Sequence, residues 1–128
     1  MADEARIRET IEAYWKTFSA GDREGWLALW ADDATMEDPV GTPVKNGKDE
    51  IGAFYDQSRS AADAVELRGM GITIVVGNQA SFAMDVRPTL GGQTMSLPAI
   101  DVMTFDDEAR ITSQRAFVDF NQLRPASD

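Results

Sequence analysis

The fold of the second half of the chain is decided by the stretch SLPAIDVMTF, residues 96–105. Successive side chains of a β-strand point to opposite faces, so Asp101 shares one face with Leu97, Ala99, Met103 and Phe105. The opposite face carries Pro98, Ile100, Val102 and Thr104, so neither face is plainly exposed to water. We therefore predict a strand over 94–105 that holds a carboxyl group in apolar surroundings.

Further strands are predicted on both sides of this stretch. The alternating segments 72–76, 80–87 and 111–120 have the composition of strands, and Gly77-Asn78, Gly91-Gly92 and Asp106-Asp107 supply turns between them. Short turns between consecutive strands indicate an antiparallel meander.

Helices are predicted in the first half. Apolar residues recur at helical spacing over 3–20, and Gly21 is a plausible C-terminal stop. Asp22 can cap a second helix that runs through Trp30, and a third starts after Asn46-Gly47. A short strand ended by Pro39 lies between them, at 34–41. Helices followed by an antiparallel meander predict an α+β fold, with residues 1–128 forming a single domain.

Composition narrows the chemistry and the partners. Cysteine and histidine are absent, which excludes thiol nucleophiles, disulfides, thiolate zinc sites, Ser-His-Asp triads and imidazole bases. A formal charge of −10 disfavours nucleic acid and anionic membrane surfaces as partners. With no long apolar segment and no signal-like N-terminus, we expect a soluble cytoplasmic protein.

Three polar residues lie where apolar side chains are expected. Loss of hydration on the strand around Asp101 favours its neutral form and raises its pKa. Asp38 shares a face of its short strand with Met36 and Val40, and Tyr14 lies on the apolar stripe of the first helix. Each also has an ordinary explanation: Asp before Pro is common in turns, and Tyr is common on the inner stripe of a helix. For Asp101, the ordinary explanation is a buried salt bridge to Arg87 or Arg115.

Three segments, in order, resemble bacterial ketosteroid isomerases. Residues 31–41, ADDATMEDPVG, resemble the segment that carries the catalytic base of that family. Residues 99–106, AIDVMTFD, resemble the strand that carries its oxyanion-hole aspartic acid, and Tyr14 in residues 14–22, YWKTFSAGD, falls at its oxyanion-hole tyrosine. The similarity extends along nearly the whole chain, including residues 47–55.

The resemblance implies a curved antiparallel sheet wrapped around helices to form a cone-shaped cavity, the fold of the nuclear transport factor two-like superfamily. It implies steroid delta-isomerase activity without a cofactor or metal, on an apolar steroid ketone, in a homodimer. Asp38 is then the base, and Tyr14 and a protonated Asp101 hold the ketone oxygen. As candidates for the apolar pocket lining we name Phe54, Tyr55, Phe82, Met84, Leu97, Ala116 and Val118.

The chain departs from some isomerases at Trp30, where they carry another tyrosine behind the oxyanion hole. We therefore expect a shorter hydrogen-bond network, of Tyr14 with Tyr55. Tyr55 is equally compatible with a place in the core.

Two rival functions remain open from the sequence. An epoxide hydrolase or polyketide cyclase on the same fold would need two ionised carboxylates bridged by an arginine, and Arg87 or Arg115 beside Asp101 would supply it. A non-catalytic small-molecule-binding dimer module would keep the cone and lack turnover.

Overall fold

A computed structural model describes residues 1–127, which form three α-helices and one curved, open sheet. The helices are α1 (Glu4–Ala20), α2 (Arg23–Leu27) and α3 (Gly47–Ser60). The strands are β1 (Trp30–Glu37), β2 (Lys45–Asn46), β3 (Ala64–Val76), β4 (Gln79–Leu90), β5 (Gln93–Phe105), β6 (Ile111–Val118) and β7 (Arg124–Pro125). The sheet order is β2-β1-β6-β5-β4-β3, with β7 paired to β5. The predicted α+β fold is confirmed. None of the helices within residues 1–127 is long and apolar enough to cross a membrane.

Helix α1 begins and ends as its sequence predicts. The Asp3 side chain caps it by accepting a hydrogen bond of 2.8 Å from the Arg6 backbone N–H. Gly21 ends it in the left-handed conformation, at φ 73°, and its N–H donates to the Phe18 carbonyl. The buried stripe comprises Ile7, Thr10, Ile11, Tyr14 and Phe18. This stripe faces the sheet, so α1 presents Tyr14 to the interior.

The second helix is shorter than predicted, because β1 starts earlier. Helix α2 ends at Leu27, and Trp30 already pairs with Ile111 of β6. The pairing is parallel, so the sheet is antiparallel only in its other ladders. Residues near Trp30 have a spacing that fits a helix, but they form a strand because they pair with β6, which is distant along the chain. Tertiary pairing here overrides a weak local propensity.

On the inner face of the sheet, one residue from each of the strands β4, β5 and β6 lies in the same row. Asp101 of β5 lies between Phe82 of β4 and Ala116 of β6. The next rows hold Met84 beside Ala99, and Met103 beside Gln114. Because alternation along each strand is kept, these side chains all point towards the helices.

Strand β3 starts at Ala64, earlier than the predicted segment 72–76, and runs through Gly69 and Gly71. It pairs with β4 along its whole length, with a register shift between Met70 and Thr73. A shift of this kind is a β-bulge, which bends a strand without ending it. The bend therefore contributes to the curvature of the sheet.

Gly69 allows α1 to pack closely on β3. A Cβ atom at Gly69 would overlap the ring of Trp15, which lies across it. The same indole packs edge-on against Phe82, with ring centroids 5.6 Å apart. A side chain at position 69 would push Trp15 away from Phe82.

We predict that Gly69→Ala destabilises the protein by about 1–3 kcal/mol, the usual cost of overpacking, although alanine suits a strand better than glycine. Urea unfolding measures the effect. In a Trp15→Leu background the same change should cost much less, because the overlapping ring is gone. An equal cost in both backgrounds would contradict the steric explanation.

Candidate active site

A cavity of about 480 Å³ lies between the helices and the inner face of the sheet. Its wall is apolar except at a few positions, among them Tyr14, Asp38 and Ser58. Of the predicted lining residues, the wall includes Phe54, Met84, Leu97, Ala116 and Val118. Such a cavity suits a largely apolar small molecule that is oriented by a few polar groups.

Asp38 lies just after β1 at the cavity wall and is partly buried. The following segment is tied to β6, because the Val40 N–H donates to the Ala116 carbonyl at 2.7 Å. Burial raises the pKa of Asp38, while a hydrogen bond from Gln114 and the charge of Lys45 lower it. The Asp38 carboxyl is therefore partly desolvated and still supported as an anion.

Asp101 is fully buried, with 0% of its surface exposed. Burial raises its pKa to about 8, and the charge of Asp38 acts in the same direction. Its Oδ2 accepts a hydrogen bond of 3.1 Å from Gln114, and its Oδ1 has no partner within residues 1–127. The prediction that this carboxyl lies in apolar surroundings on a strand is thus confirmed.

The arginines proposed as partners of Asp101 lie on the other face of the sheet. Arg87 forms ion pairs with Asp85 at 3.1 Å and with Glu66 at 3.6 Å. Arg115 pairs with Glu37 at 2.8 Å. Strand alternation explains this, because Arg87 and Arg115 are out of phase with the inward-facing residues of β4 and β6. The alternative of a buried salt bridge to Asp101 is therefore wrong.

Tyr14 projects from α1 into the same end of the cavity and is buried. Burial raises its pKa well above the ordinary value, and the negative charges of Asp101 and Asp38 raise it further. Its ring lies 5.8 Å from that of Trp26 and 6.3 Å from that of Trp30. The structure thus brings Tyr14, Asp38 and Asp101 close together, with Tyr14 and Asp38 in the cavity wall and Asp101 fully buried and outside that wall.

Tyr55 and Phe82 do not belong to the cavity wall, which corrects the predicted lining. Tyr55 packs against Phe18 and Trp26, each with ring centroids 5.2 Å away. Trp26 contacts both tyrosine rings, and no hydrogen bond joins Tyr14 to Tyr55 within residues 1–127. Phe82 is covered by Trp15. Both residues are buried as predicted from their inward-facing positions, but they pack against other aromatic rings instead of lining the cavity.

Gln114 is the site residue that sequence reasoning misses. It is 1% exposed, and its Nε2 lies 3.1 Å from Oδ2 of Asp38 and 3.1 Å from Oδ2 of Asp101. Alternation along β6 puts it on the inner face with Ala116, so it is a polar residue on an apolar face, as Asp101 is. A polar side chain on the apolar face of a strand is therefore the signal by which the sequence indicates Gln114, as it indicates Asp101.

This arrangement can bind and move protons. Tyr14 and Asp38 line the apolar cavity, and Gln114 joins Asp38 to the fully buried Asp101, whose pKa is raised. Across residues 1–127, no group of three or more acidic side chains is arranged to hold a metal ion.

Comparisons with known proteins agree with the fold and the cavity. A model of the SnoaL-like domain matches residues 11–114. A steroid Delta-isomerase from Nocardioides simplex is 36% identical over 113 residues, which cover 88% of this chain and 89% of the relative.

Solved structures extend the likeness to nearly the whole chain. The epoxide hydrolase/cyclase-like enzyme SalBIII has a TM-score of 0.87 at 23% identity, with 98% of this chain and 100% of that chain covered. RV0760c from Mycobacterium tuberculosis, solved with estradiol-17beta-hemisuccinate, has a TM-score of 0.81 at 23% identity, with 92% and 97% covered. At such identities these two concern the fold alone.

The match over residues 11–114 and the identity with the isomerase across most of both chains together establish that this chain belongs to the SnoaL-like domain family, within the nuclear transport factor two-like superfamily.

Proposed function

We propose that this protein is a steroid delta-isomerase that converts Δ5-3-ketosteroids to Δ4-3-ketosteroids. The observation that carries the proposal is that Gln114 joins two carboxyls beside an apolar cavity. One is the buried Asp101, with a pKa of about 8, and the other is Asp38, which lines the cavity together with Tyr14. Identity with the Nocardioides simplex isomerase supports the same reaction class. Residues 1–128 act as one domain, without a cofactor.

Asp38 is the proposed base. A proton next to a ketone is very weakly acidic, so a carboxylate removes it only when the resulting anion is stabilised. Ionised Asp38 takes the proton from C4, the electron pair forms a dienolate with its charge on O3, and the same proton returns to C6. The double bond then lies between C4 and C5, conjugated with the ketone, and Asp38 is again a carboxylate.

Tyr14 and neutral Asp101 are the proposed oxyanion donors. The raised pKa values of both groups favour their protonated forms at neutral pH, and only a protonated carboxyl can donate a hydrogen bond. Oδ1 of Asp101 has no partner within residues 1–127, so a ligand oxygen would satisfy a buried polar atom. This division of roles is the one known for ketosteroid isomerases.

The apolar wall is the proposed binding surface for the fused rings. Phe54, Met84, Leu97, Ala116 and Val118 line it, and each Å² of apolar surface removed from water contributes about 25 cal/mol. The complex of RV0760c, which shares the fold, with estradiol-17beta-hemisuccinate supports a steroid as the class of ligand.

A homodimer in the cytoplasm is the proposed working form. Met70, Ala83, Ile100 and Phe117 lie side by side in one row across β3 to β6, on the outer face. Three of them, Met70, Ile100 and Phe117, are exposed. An exposed apolar row of this kind supports contact with a second copy.

The likeness to SalBIII makes an epoxide hydrolase or cyclase the second candidate. That chemistry needs two ionised carboxylates with a guanidinium between them. Here a neutral amide joins Asp38 to Asp101, and Arg87 and Arg115 pair with acidic residues on the outer face. These contacts favour the isomerase.

The direct test adds a β,γ-unsaturated 3-ketosteroid and follows ultraviolet absorbance, which rises only when the double bond becomes conjugated with the ketone. We expect a rise with the native protein. Asp38→Asn should nearly abolish it and leave steroid binding, followed by tryptophan fluorescence, intact. Binding without any rise would identify a non-catalytic binding module, and turnover retained in Asp38→Asn would remove Asp38 from the role of base.

Tyr14→Phe should lower kcat by about 10²–10³, since one missing oxyanion donor costs roughly 2.7–4 kcal/mol. Tyr55→Phe is the matched control, because Tyr55 lies outside the cavity wall and is not hydrogen-bonded to Tyr14 within residues 1–127. The absorbance assay compares the two. Equal losses would mean that Tyr14 acts only as a packing residue.

Stability should fall as pH rises between about 4 and 8. Native Asp101 holds its proton up to a pKa of about 8, whereas the unfolded chain releases it near 3.8, so the native state binds more protons in this window. The loss approaches about 1.4 kcal/mol per pH unit, and the raised pKa of Asp38 acts in the same direction.

Asp101→Asn removes this contribution. As the pH rises, the free energy of unfolding of the native protein should therefore fall relative to that of the variant, and urea unfolding at several pH values measures the difference. Curves for the native protein and Asp101→Asn that stay parallel from pH 4 to 8 would mean that Asp101 is not protonated in the native state.

A further inference from the structure

Gln114 lies at the centre of the sheet, where its amide is surrounded by apolar neighbours. It pairs across the sheet with Met103 of β5 and with Met36 of β1, and both are fully buried. A buried amide in such a place is costly unless it is hydrogen-bonded. Its Nε2 has two partners, Oδ2 of Asp38 and Oδ2 of Asp101, each 3.1 Å away.

The chemistry of a primary amide determines which of its atoms faces the carboxyls. Nε2 carries two protons and can donate one to each carboxyl, whereas Oε1 can only accept. With Oε1 turned towards them, the ionised Asp38 would face an acceptor. The observed orientation gives both Oδ2 atoms a donor and leaves Oε1 without a partner within residues 1–127.

The bond to Asp101 also locates the proton of that carboxyl. In a neutral acid the carbonyl oxygen is the better acceptor, so the bond from Gln114 to Oδ2 favours the proton on Oδ1. Oδ1 is the atom that has no partner within the described chain. A proton on Oδ1 therefore has no acceptor among residues 1–127.

We propose that Gln114 is a positioning residue that joins Asp38 and Asp101 through one amide group, supports Asp38 as the anion, and leaves the Asp101 proton on Oδ1. The inference rests on the proposed isomerase function and extends it to a residue outside the three catalytic groups. A neutral donor suits this task, because a guanidinium in its place would favour ionisation of both carboxyls.

The titration behaviour of the pair agrees with this role. The hydrogen bond from Gln114 lowers the pKa of both carboxyls, against the larger effect of burial. The other groups that act on them are Tyr14 from α1 and Lys45 from β2. The Glu37–Arg115 ion pair flanks them and is more exposed to solvent.

Gln114→Met tests the proposal, because methionine is also unbranched and similar in length but donates no hydrogen bond. The acidic limb of kcat/KM against pH, which reports ionisation of Asp38, should move up by about 1 pH unit. The rate at a pH well below the native acidic limb should therefore fall about tenfold, while the rate above the limb stays close to that of the native protein.

Thr112→Val is the matched control on the same strand. It removes a hydrogen bond of 3.0 Å to the Thr104 carbonyl, outside the site, and should leave the pH profile unchanged. An unshifted acidic limb in Gln114→Met would overturn the proposal and leave Gln114 as a core amide.

Carbon-13 NMR titration of the aspartate carboxyls, without ligand, separates this proposal from the proposed function. Upward shifts of both titrations in Gln114→Met support the linkage even in a protein that isomerises no steroid. In the native protein the Gln114 side-chain amide protons should shift with the Asp38 titration, a readout that needs no variant to fold. If the chemical shifts of these amide protons stayed constant through the Asp38 titration, the proposal would be overturned.

Discussion

The burial of the Asp101 carboxyl on the inner face of the sheet is the constraint on which the site depends. Apolar neighbours in the adjoining strands, Phe82 and Ala116, remove water from it, and its pKa rises to about 8. A neutral acid can then donate a hydrogen bond beside Tyr14, while Asp38, at the cavity wall, keeps some solvent and a hydrogen bond from Gln114. Two carboxyls of the same kind thus acquire different properties from their positions alone.

The arginine ion pairs and the residues of the candidate site lie on opposite faces of the sheet. Arg87 and Arg115 pair with acidic residues on the outer face. Alternation along β4 and β6 keeps these guanidinium groups away from Asp101, where either would favour the ionised carboxyl. The inner face offers the amide of Gln114 as a donor without charge, so neither Arg87 nor Arg115 offsets the repulsion between Asp38 and Asp101, and this repulsion favours ionisation of only one of them.

Family membership explains the architecture and leaves the chemistry to a few side chains. SalBIII shares the fold at a TM-score of 0.87, and the Nocardioides simplex isomerase shares 36% of the aligned residues. A curved sheet around helices provides an apolar cavity, and the reaction that it supports depends on which groups ionise in and beside its wall. Here the proposed proton transfer depends on a phenol, two carboxyls and an amide.

Helix α1 with its Gly21 stop, the strand around Asp101 and the apolar surroundings of that carboxyl could be predicted from the sequence, because each follows from spacing and side-chain type within one element. The Asp3 cap, the parallel pairing of Trp30 with β6, the position of Trp26 between Tyr55 and Tyr14, and the link that Gln114 makes between Asp38 and Asp101 are known only from the folded chain. Apart from the cap, these features depend on contacts between residues distant along the chain, and local periodicity carries no information about which distant strand or ring will be the neighbour.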